Sequence, residues 1–326
     1  MLYPKKLQPE ITTKQKIKNV TSIIFFIHIV CAKIQKSIKQ ILVKNFKYFV
    51  KKNYIVWYNL ACMKVVTLAS GSKGNCTLIQ TDNVNLLIDA GISLTEIEQK
   101  LQFLNVNPKD IYGILITHEH SDHIKNAGVF ARKHNCFVFS HISLWNTLQN
   151  KIGVLEKSQK MAFTSNNFYI KDITVSAFEL SHDCPCFGYS FYCQGNKISI
   201  ATDLGYAPQN VLDNLKDSNI LILEANHDEN LLLNNPKYSM ILKRRILSNK
   251  GHLSNKSCGE IIAKIYSKNL KQVILAHLSE ENNNPSLAYN TVKQVLSTYG
   301  LIEGEHIFVD VATQHGLGNI FELSNN

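Results

Sequence analysis

Residues 117–123 read Thr117-His118-Glu119-His120-Ser121-Asp122-His123. Imidazole and carboxylate are the donors that suit Zn²⁺, Mn²⁺ or iron. The stretch directly follows the apolar run Ile114-Leu115-Ile116, so it leaves the end of a buried strand rather than a solvated surface. Its donors His118, His120, Asp122 and His123 can be aimed into one cavity, but they do not complete two metal sites. Three further candidates sit in the same kind of position. His182 follows Val175–Leu180, Asp203 follows Ile198–Thr202, and His277 follows Val273–Ala276. Each alone reads as an ordinary loop residue; their shared placement at strand ends makes them a set. Two divalent ions about 3.5–4 Å apart can share a water, lower its pKa towards about 7 and clamp the oxygens of a displacement centre. A second group must then protonate the leaving oxygen.

The elements that must position these residues begin at Met63. Val65–Ala69, Cys76–Gln80 and Val84–Asp89 are predicted strands, broken by turns at Ser70–Asn75 and Asp82-Asn83. The first turn offers backbone N–H groups and hydroxyls that could cradle a phosphate, with Ser70, Ser72 and Asn75 as its contacts. A plain tight hairpin turn is the competing reading. Ser93-Leu94-Thr95-Glu96 is a capping-box start for a helix whose apolar face is Leu94, Ile97, Leu101 and Leu104. A strand at Gly113–Thr117, a helix at Ile124–His134 and a strand at Cys136–Ser140 follow. Phe168–Thr202 is β-rich, Pro208–Leu215 helical and Ile220–Leu223 a strand. Predicted helices at Lys237–Ser248 and Asn255–Ser267, the latter with a box at Ser257 and Glu260, bracket Gly251-His252. Strand Gln272–Ala276 then ends at His277. Lys243-Arg244-Arg245 reads as a solvated helix face, with contact to a polyanion as the alternative. Hairpins mixed with strand–helix units predict an α+β fold, with sheets covered by helices on the outside.

The order His-x-His-x-Asp-His, later His, later Asp, final His resembles that of the metallo-β-lactamase superfamily, from Lys64 to the C-terminus. The resemblance implies a four-layer αββα sandwich with the metals at one edge of the two sheets. It also implies that Asp89, in Leu87-Ile88-Asp89-Ala90-Gly91, orients the histidine loop from behind; an ordinary turn aspartate is the alternative. Leu68–Cys76, Thr202–Tyr206, Glu224–Asp228, Lys243–Ser248, Gly251–Asn255 and Ala276–Asn282 further resemble the YycJ (WalJ) group of bacterial metallohydrolases. Carried over by motif, His118, His120 and His182 would hold one ion, Asp122, His123 and His277 the other, and Asp203 would bridge them. The ions would be zinc or manganese. Glu224 and His252 look like the proton relay of the tRNase Z branch, which places them with Asp122 in the catalytic set. For His252, a helix-start residue packed against its neighbours is the open alternative. The implied activity is phosphodiester hydrolysis, 5′–3′ exodeoxyribonuclease-like, on DNA rather than RNA. The competing reading is a glyoxalase II-like hydrolase of thioesters or lactams. A diiron electron-transfer protein would carry Glu where His120 stands, and a non-catalytic scaffold would have lost donors.

The formal charge of +10 invites a nucleic-acid reading, but its distribution does not support one. Residues 1–62 hold twelve lysines against the single acid Glu10, and the remainder is close to neutral. The apolar run Ile23–Val30 is too short to span a bilayer, which takes about 20 residues. Lysines before a short apolar core resemble a signal peptide, yet Cys31-Ala32-Lys33 is a poor cleavage site. We therefore expect residues 1–62 to be a basic extension outside the working protein and residues 63–326 to be the catalytic domain, with no stable membrane association of that core. The eight cysteines are irregularly spaced, with one CxC pair at Cys184-Pro185-Cys186, and read as reduced thiols in a cytoplasmic protein.

Overall fold

The computed structural model describes residues 46–51, 54–59 and 61–324. The chain divides into two compact units, between Leu60 and Ala61. In the first, β1 (Phe46–Lys51) and β2 (Tyr54–Asn59) pair as an antiparallel hairpin. The rest of residues 1–60, including the apolar run at Ile23–Val30, lies outside the described residues.

The second unit holds two seven-stranded sheets. One is built from β3 (Ala61–Ala69), β4 (Cys76–Gln80), β5 (Asn85–Ile88), β6 (Ile111–Leu115), β7 (Phe137–His141), β8 (Lys160–Phe163) and, returning from the far end of the chain, β16 (Phe321–Ser324). Its order is β16-β3-β4-β5-β6-β7-β8. The other contains β9 (Asn167–Ile170), β10 (Ile173–Glu179), β11 (Phe187–Cys193), β12 (Asn196–Ala201), β13 (Ile220–Glu224), β14 (Gln272–Ala276) and β15 (Phe308–Val311), in the order β15-β14-β13-β12-β11-β10-β9. Each sheet begins with antiparallel hairpins and continues as parallel strands, β5 to β8 in one and β12 to β15 in the other. Parallel strands end on a common edge, and that edge is where ligands bind in open sheets of this kind.

Strand parity explains the layering. Ile79, Leu86, Ile88 and Leu115 of the first sheet pack with Val175, Tyr189, Ile200, Ile222 and Ile274 of the second. Their alternating neighbours face outward. Leu78, Leu87, Ile114 and Val138 meet Ile97, Leu101, Phe130 and Leu148 of the covering helices. Leu221, Leu223, Val273 and Leu275 meet Val211, Ile262, Val292 and Leu296 on the opposite side. Both faces of the central strands are thus buried, which is why they read as unbroken apolar runs. The result is the expected αββα sandwich.

Several boundaries differ from the sequence expectation. The helix predicted at Ile124–His134 is two, Ser121–Ile124 and Ala127–His134. It breaks because the Asn126 N–H goes to the Ala90 carbonyl and its side chain to the Ile92 carbonyl. The helix expected over Lys237–Ser248 spans only Met240–Ile246 and is preceded by Glu229–Asn234. The next helix, Asn255–Ile265, is capped by Ser254 rather than Ser257. Helices Ile142–Ile152 and Pro285–Thr298 were not anticipated. β3 begins two residues before Met63, which is fully buried and pairs with Leu323. Among the described residues, no helix is long and apolar enough to cross a membrane.

Candidate metal centre

The centre lies where the parallel strands of both sheets end. β5 runs into Asp89, β6 into the 117–123 loop, β12 into Asp203, β13 ends on Glu224 and β14 runs into His277. Asp89, Asp203 and His277 have φ of 62, 67 and 56°, in the left-handed region that β-carbons disfavour. Such strain persists only where surrounding contacts enforce it, and it concentrates at functional sites.

The donors fall into two adjoining groups. One ligand atom from each of His118, His120 and His182, together with Cys184, lies within 4.8 Å of the others, and the same holds for Asp122, His123 and His277. Asp203 borders both: it groups with His118 and His123, and separately with Glu224, His252 and His277. Asp89 lies behind this cluster. It accepts the Thr117 N–H at 2.9 Å, the Thr117 hydroxyl at 2.7 Å and His123 Nδ1 at 2.7 Å. The second ring nitrogen of His123 is thereby committed to the centre. Glu224 does the same for two rings at once, its Oε1 accepting His277 Nδ1 at 2.7 Å and His252 Nδ1 at 2.8 Å. Its Oε2 accepts the N–H groups of Leu204 and Leu253, both at 3.1 Å. A carboxylate behind an imidazole fixes the tautomer and raises the basicity of the nitrogen that faces a metal.

The profile of the metallo-beta-lactamase superfamily matches residues 69–242, more than half of the chain. The chain belongs to this superfamily. It is 39% identical over 241 residues to exodeoxyribonuclease YycJ of Bacillus anthracis, spanning 73% of this chain and 90% of that protein. It is 37% identical over 239 residues to exodeoxyribonuclease WalJ of Streptococcus pneumoniae, spanning 72% and 88%. The structure of YhfI, a metallo-beta-lactamase fold protein of Bacillus subtilis, matches with a TM-score of 0.61 at 16% identity, over 80% of this chain and 99% of that one. As a member of the superfamily the chain is a metal-dependent hydrolase.

Two physical features show that the residues present fit divalent ions. First, His118 Nε2, both ring nitrogens of His182, Asp203 Oδ2 and His277 Nε2 are buried without a hydrogen-bond partner. Buried polar atoms left unpaired are costly, and bound cations would satisfy the Asp203 oxygen and one nitrogen of each of these rings. Second, the protonation preferences match. Burial, then the neighbouring imidazoles, keeps His118 well below the usual histidine range. Burial also pulls His182 down. Both are neutral, the form that ligates. In the other group burial works against charge but carboxylates prevail. Asp203 and Asp89 push His123 up to about 10, and Asp203, Asp122 and Glu224 raise His277. Partly exposed Asp122 and buried Glu224 are both held below the usual carboxylate range by the imidazoles they touch. That excess of negative charge favours a cation as readily as protons.

A cleft of about 330 Å³ opens on the donors. His252, partly exposed at 23%, lines it together with Ser72, Asp183, Tyr238, Arg245 and Lys250. Of the three expected phosphate contacts only Ser72 is there. Ser70 is buried, its hydroxyl accepting the His277 N–H at 2.8 Å. Asn75 is buried too, closing its own turn on Gly71 and placing Nδ2 3.0 Å from His123 Nε2. These two brace the centre from behind, because the turn packs against the loop that carries Asp122. Lys243 likewise points away from any polyanion: it is buried and donates to the Leu233 carbonyl. Arg245 instead reaches the cleft and pairs with Asp183, whose Oδ1 lies 3.3 Å from His182 Nε2 and 3.4 Å from His120 Nε2. Sequence reasoning missed Asp183, Cys184 and Tyr238. Adjacency to His182 was the available signal for the first two; Tyr238 had none.

Proposed function

We propose that the chain is an exodeoxyribonuclease that removes nucleotides from the 5′ end of DNA with two divalent ions, zinc or manganese. His118, His120 and His182 would hold one ion and Asp122, His123 and His277 the other, with Asp203 between them. The observation that carries the phosphodiesterase reading is His252, oriented by Glu224 at 2.8 Å on the wall of the donor cleft. An alkoxide leaving from phosphorus needs a proton, whereas a thiolate leaving from a thioester does not. Similarity to two exodeoxyribonucleases across 90% and 88% of their lengths supports DNA as the substrate.

When bound, the ions supply Lewis acidity and an acidified water. The remaining steps belong to side chains. Asp122 stays ionised between His123 and His277, and its partly exposed carboxylate orients the attacking water by accepting a hydrogen bond from it. Glu224 accepts from His252 Nδ1, which leaves Nε2 to protonate the leaving oxygen. Burial opposes the charge on that ring, but the Glu224 carboxylate overrides it, so His252 holds its proton above the ordinary range. Arg245 and Lys250 offer cations to flanking phosphates. The seven cysteines among the described residues are free thiols, which fits the reducing cytoplasm as its location.

The test is purified protein with end-labelled DNA, end-labelled RNA and a thioester, each with Mn²⁺ or Zn²⁺. Mononucleotides should be released from the 5′ end of DNA. Thioester turnover with no cleavage of any nucleic acid would refute the proposal.

A further inference from the structure

We propose that Cys184 is a further protein donor, beside the shared Asp203, to the cation site of His118, His120 and His182, and that its thiolate makes this site select zinc over manganese. The inference rests on the ligand assignment proposed for those three histidines.

Geometry is the first support. Cys184 Sγ lies 3.7 Å from His120 Nε2, and one donor atom from each of the four residues lies within 4.8 Å of the rest. In a tetrahedral zinc centre, bonds of about 2.0–2.1 Å to nitrogen and about 2.3 Å to sulfur set the two ligand atoms about 3.6 Å apart. Sulfur and nitrogen here already stand at that spacing. The second support is independent: His118 Nε2 and His182 Nε2 are buried without hydrogen-bond partners, and one ring nitrogen of each belongs to the same close donor group as Cys184.

Local structure explains why this sulfur is presented. The loop from Leu180 to Cys186 is closed by the Leu180 N–H to the Cys186 carbonyl at 2.8 Å. It is tied to the histidine loop by the Phe187 N–H to the Thr117 carbonyl at 3.0 Å. Pro185 stiffens the return. Cys186 is buried and directed at the Thr202 carbonyl, whereas Cys184 is the one cysteine among the described residues that is not buried. Asp183 also approaches His120 and His182, but its other oxygen is engaged by Arg245.

The chemistry follows from softness. A thiolate strongly favours zinc, whereas a site of carboxylates and imidazoles admits manganese as well. Coordination requires the thiol to release its proton to water, and a bound cation brings that about. The two sites would therefore differ in metal preference, with the Asp122, His123 and His277 site the more permissive.

Cobalt is the probe. Protein grown with Co²⁺ under zinc depletion should show a near-ultraviolet thiolate-to-cobalt charge-transfer band. The Cys184→Ser variant should lose that band while retaining two cobalt ions and the visible ligand-field bands. Its zinc affinity at this site should fall by at least the 10–100-fold that loss of a supporting residue already costs, with manganese affinity unchanged. In the wild-type chain, Zn²⁺ but not Mn²⁺ should slow iodoacetamide alkylation of Cys184, read by mass spectrometry, by about tenfold or more. If cobalt binds at two per chain with no charge-transfer band, or zinc leaves the alkylation rate unchanged, Cys184 is not a ligand and the histidine assignment stands. If cobalt fails to bind, or His118→Ala binds it as the wild type does, the assignment itself falls and the proposal with it.

Discussion

Replacing His252 with alanine separates proton donation from metal binding. Glu224 keeps three of its four hydrogen bonds in that variant: to His277 Nδ1 and to the N–H groups of Leu204 and Leu253. The buried carboxylate is therefore not stranded, and the stability cost should be that of one charged hydrogen bond, about 1.5–3 kcal/mol. Two metals per chain should remain. Loss of a general acid lowers turnover by about 10²–10⁴-fold, which is about 3–5 kcal/mol of barrier. The assay compares DNA with bis-p-nitrophenyl phosphate, whose nitrophenolate leaves with little protonation. DNA cleavage should collapse while the nitrophenyl ester is hydrolysed almost normally. Equal loss on both substrates, or loss of a metal, would refute the assignment. Glu224→Gln should behave differently. Sequence reasoning gave Glu224 to His252 alone, which predicts a smaller loss in the same direction. Because the same oxygen also orients His277, this variant should release metal and lose both substrates.

Three further outcomes are expected. A β-carbon on Gly91 would fall 1.6 Å from the Asp122 carbonyl oxygen, so Gly91→Ala should displace the histidine loop, costing about 1–3 kcal/mol in urea melts and lowering metal content by elemental analysis; unchanged metal content would show that the loop yields freely. His227 is 1% exposed, its ring nitrogens lack partners, and burial lowers its pKa to about 4 from 6.5. The unfolded chain therefore binds the extra proton between those values, and stability should fall by up to about 1.4 kcal/mol per pH unit on acidification through that window; His227→Phe should flatten the slope, and an unaltered slope would remove His227 as its source. The basic extension was expected to end at residue 62, but β3 begins at Ala61, so a chain starting at Ala61, with β3 and its pairing with β16 whole, should be soluble and as active as the full chain; insolubility or loss of metal would overturn the expectation that the preceding residues are dispensable.

What could be read from the sequence followed from locality. His118 to His123 are six consecutive positions behind an apolar strand, so their convergence needs no knowledge of the rest of the chain. His182, Asp203 and His277 were legible because each interrupts an apolar strand at its end, and the fold brings those ends to one edge. The roles of Ser70 and Asn75 were not legible. A glycine-rich turn with hydroxyls and an amide reads the same whether it faces a ligand or the back of a metal loop, and only the packing against Asp122 and His277 decides. Helix Ile142–Ile152 buries Leu144, Trp145, Leu148 and Ile152, a helical spacing that was available in the sequence and overlooked. Arg245 was one of three adjacent basic residues, and which of them meets the cleft depends on the rotation of a short helix, to which composition is blind.

Strands β3 to β8 run in one stretch from Ala61 to Phe163, and β9 to β15 in another from Asn167 to Val311, joined by three residues. The histidine loop and Asp89 belong to the first stretch; His182, Asp203, Glu224, His252 and His277 belong to the second. Neither stretch alone contains the complete donor set proposed above, so bound cations would act as rivets across a seam, and β16 is the strap that returns over it. An ion that binds only the closed form adds about 2.7 kcal/mol when present at a hundred times its dissociation constant. Starvation for metal should then do more than idle the enzyme: it should loosen the seam, expose the link at 164–166 to proteases, and shorten the lifetime of the chain in the cell.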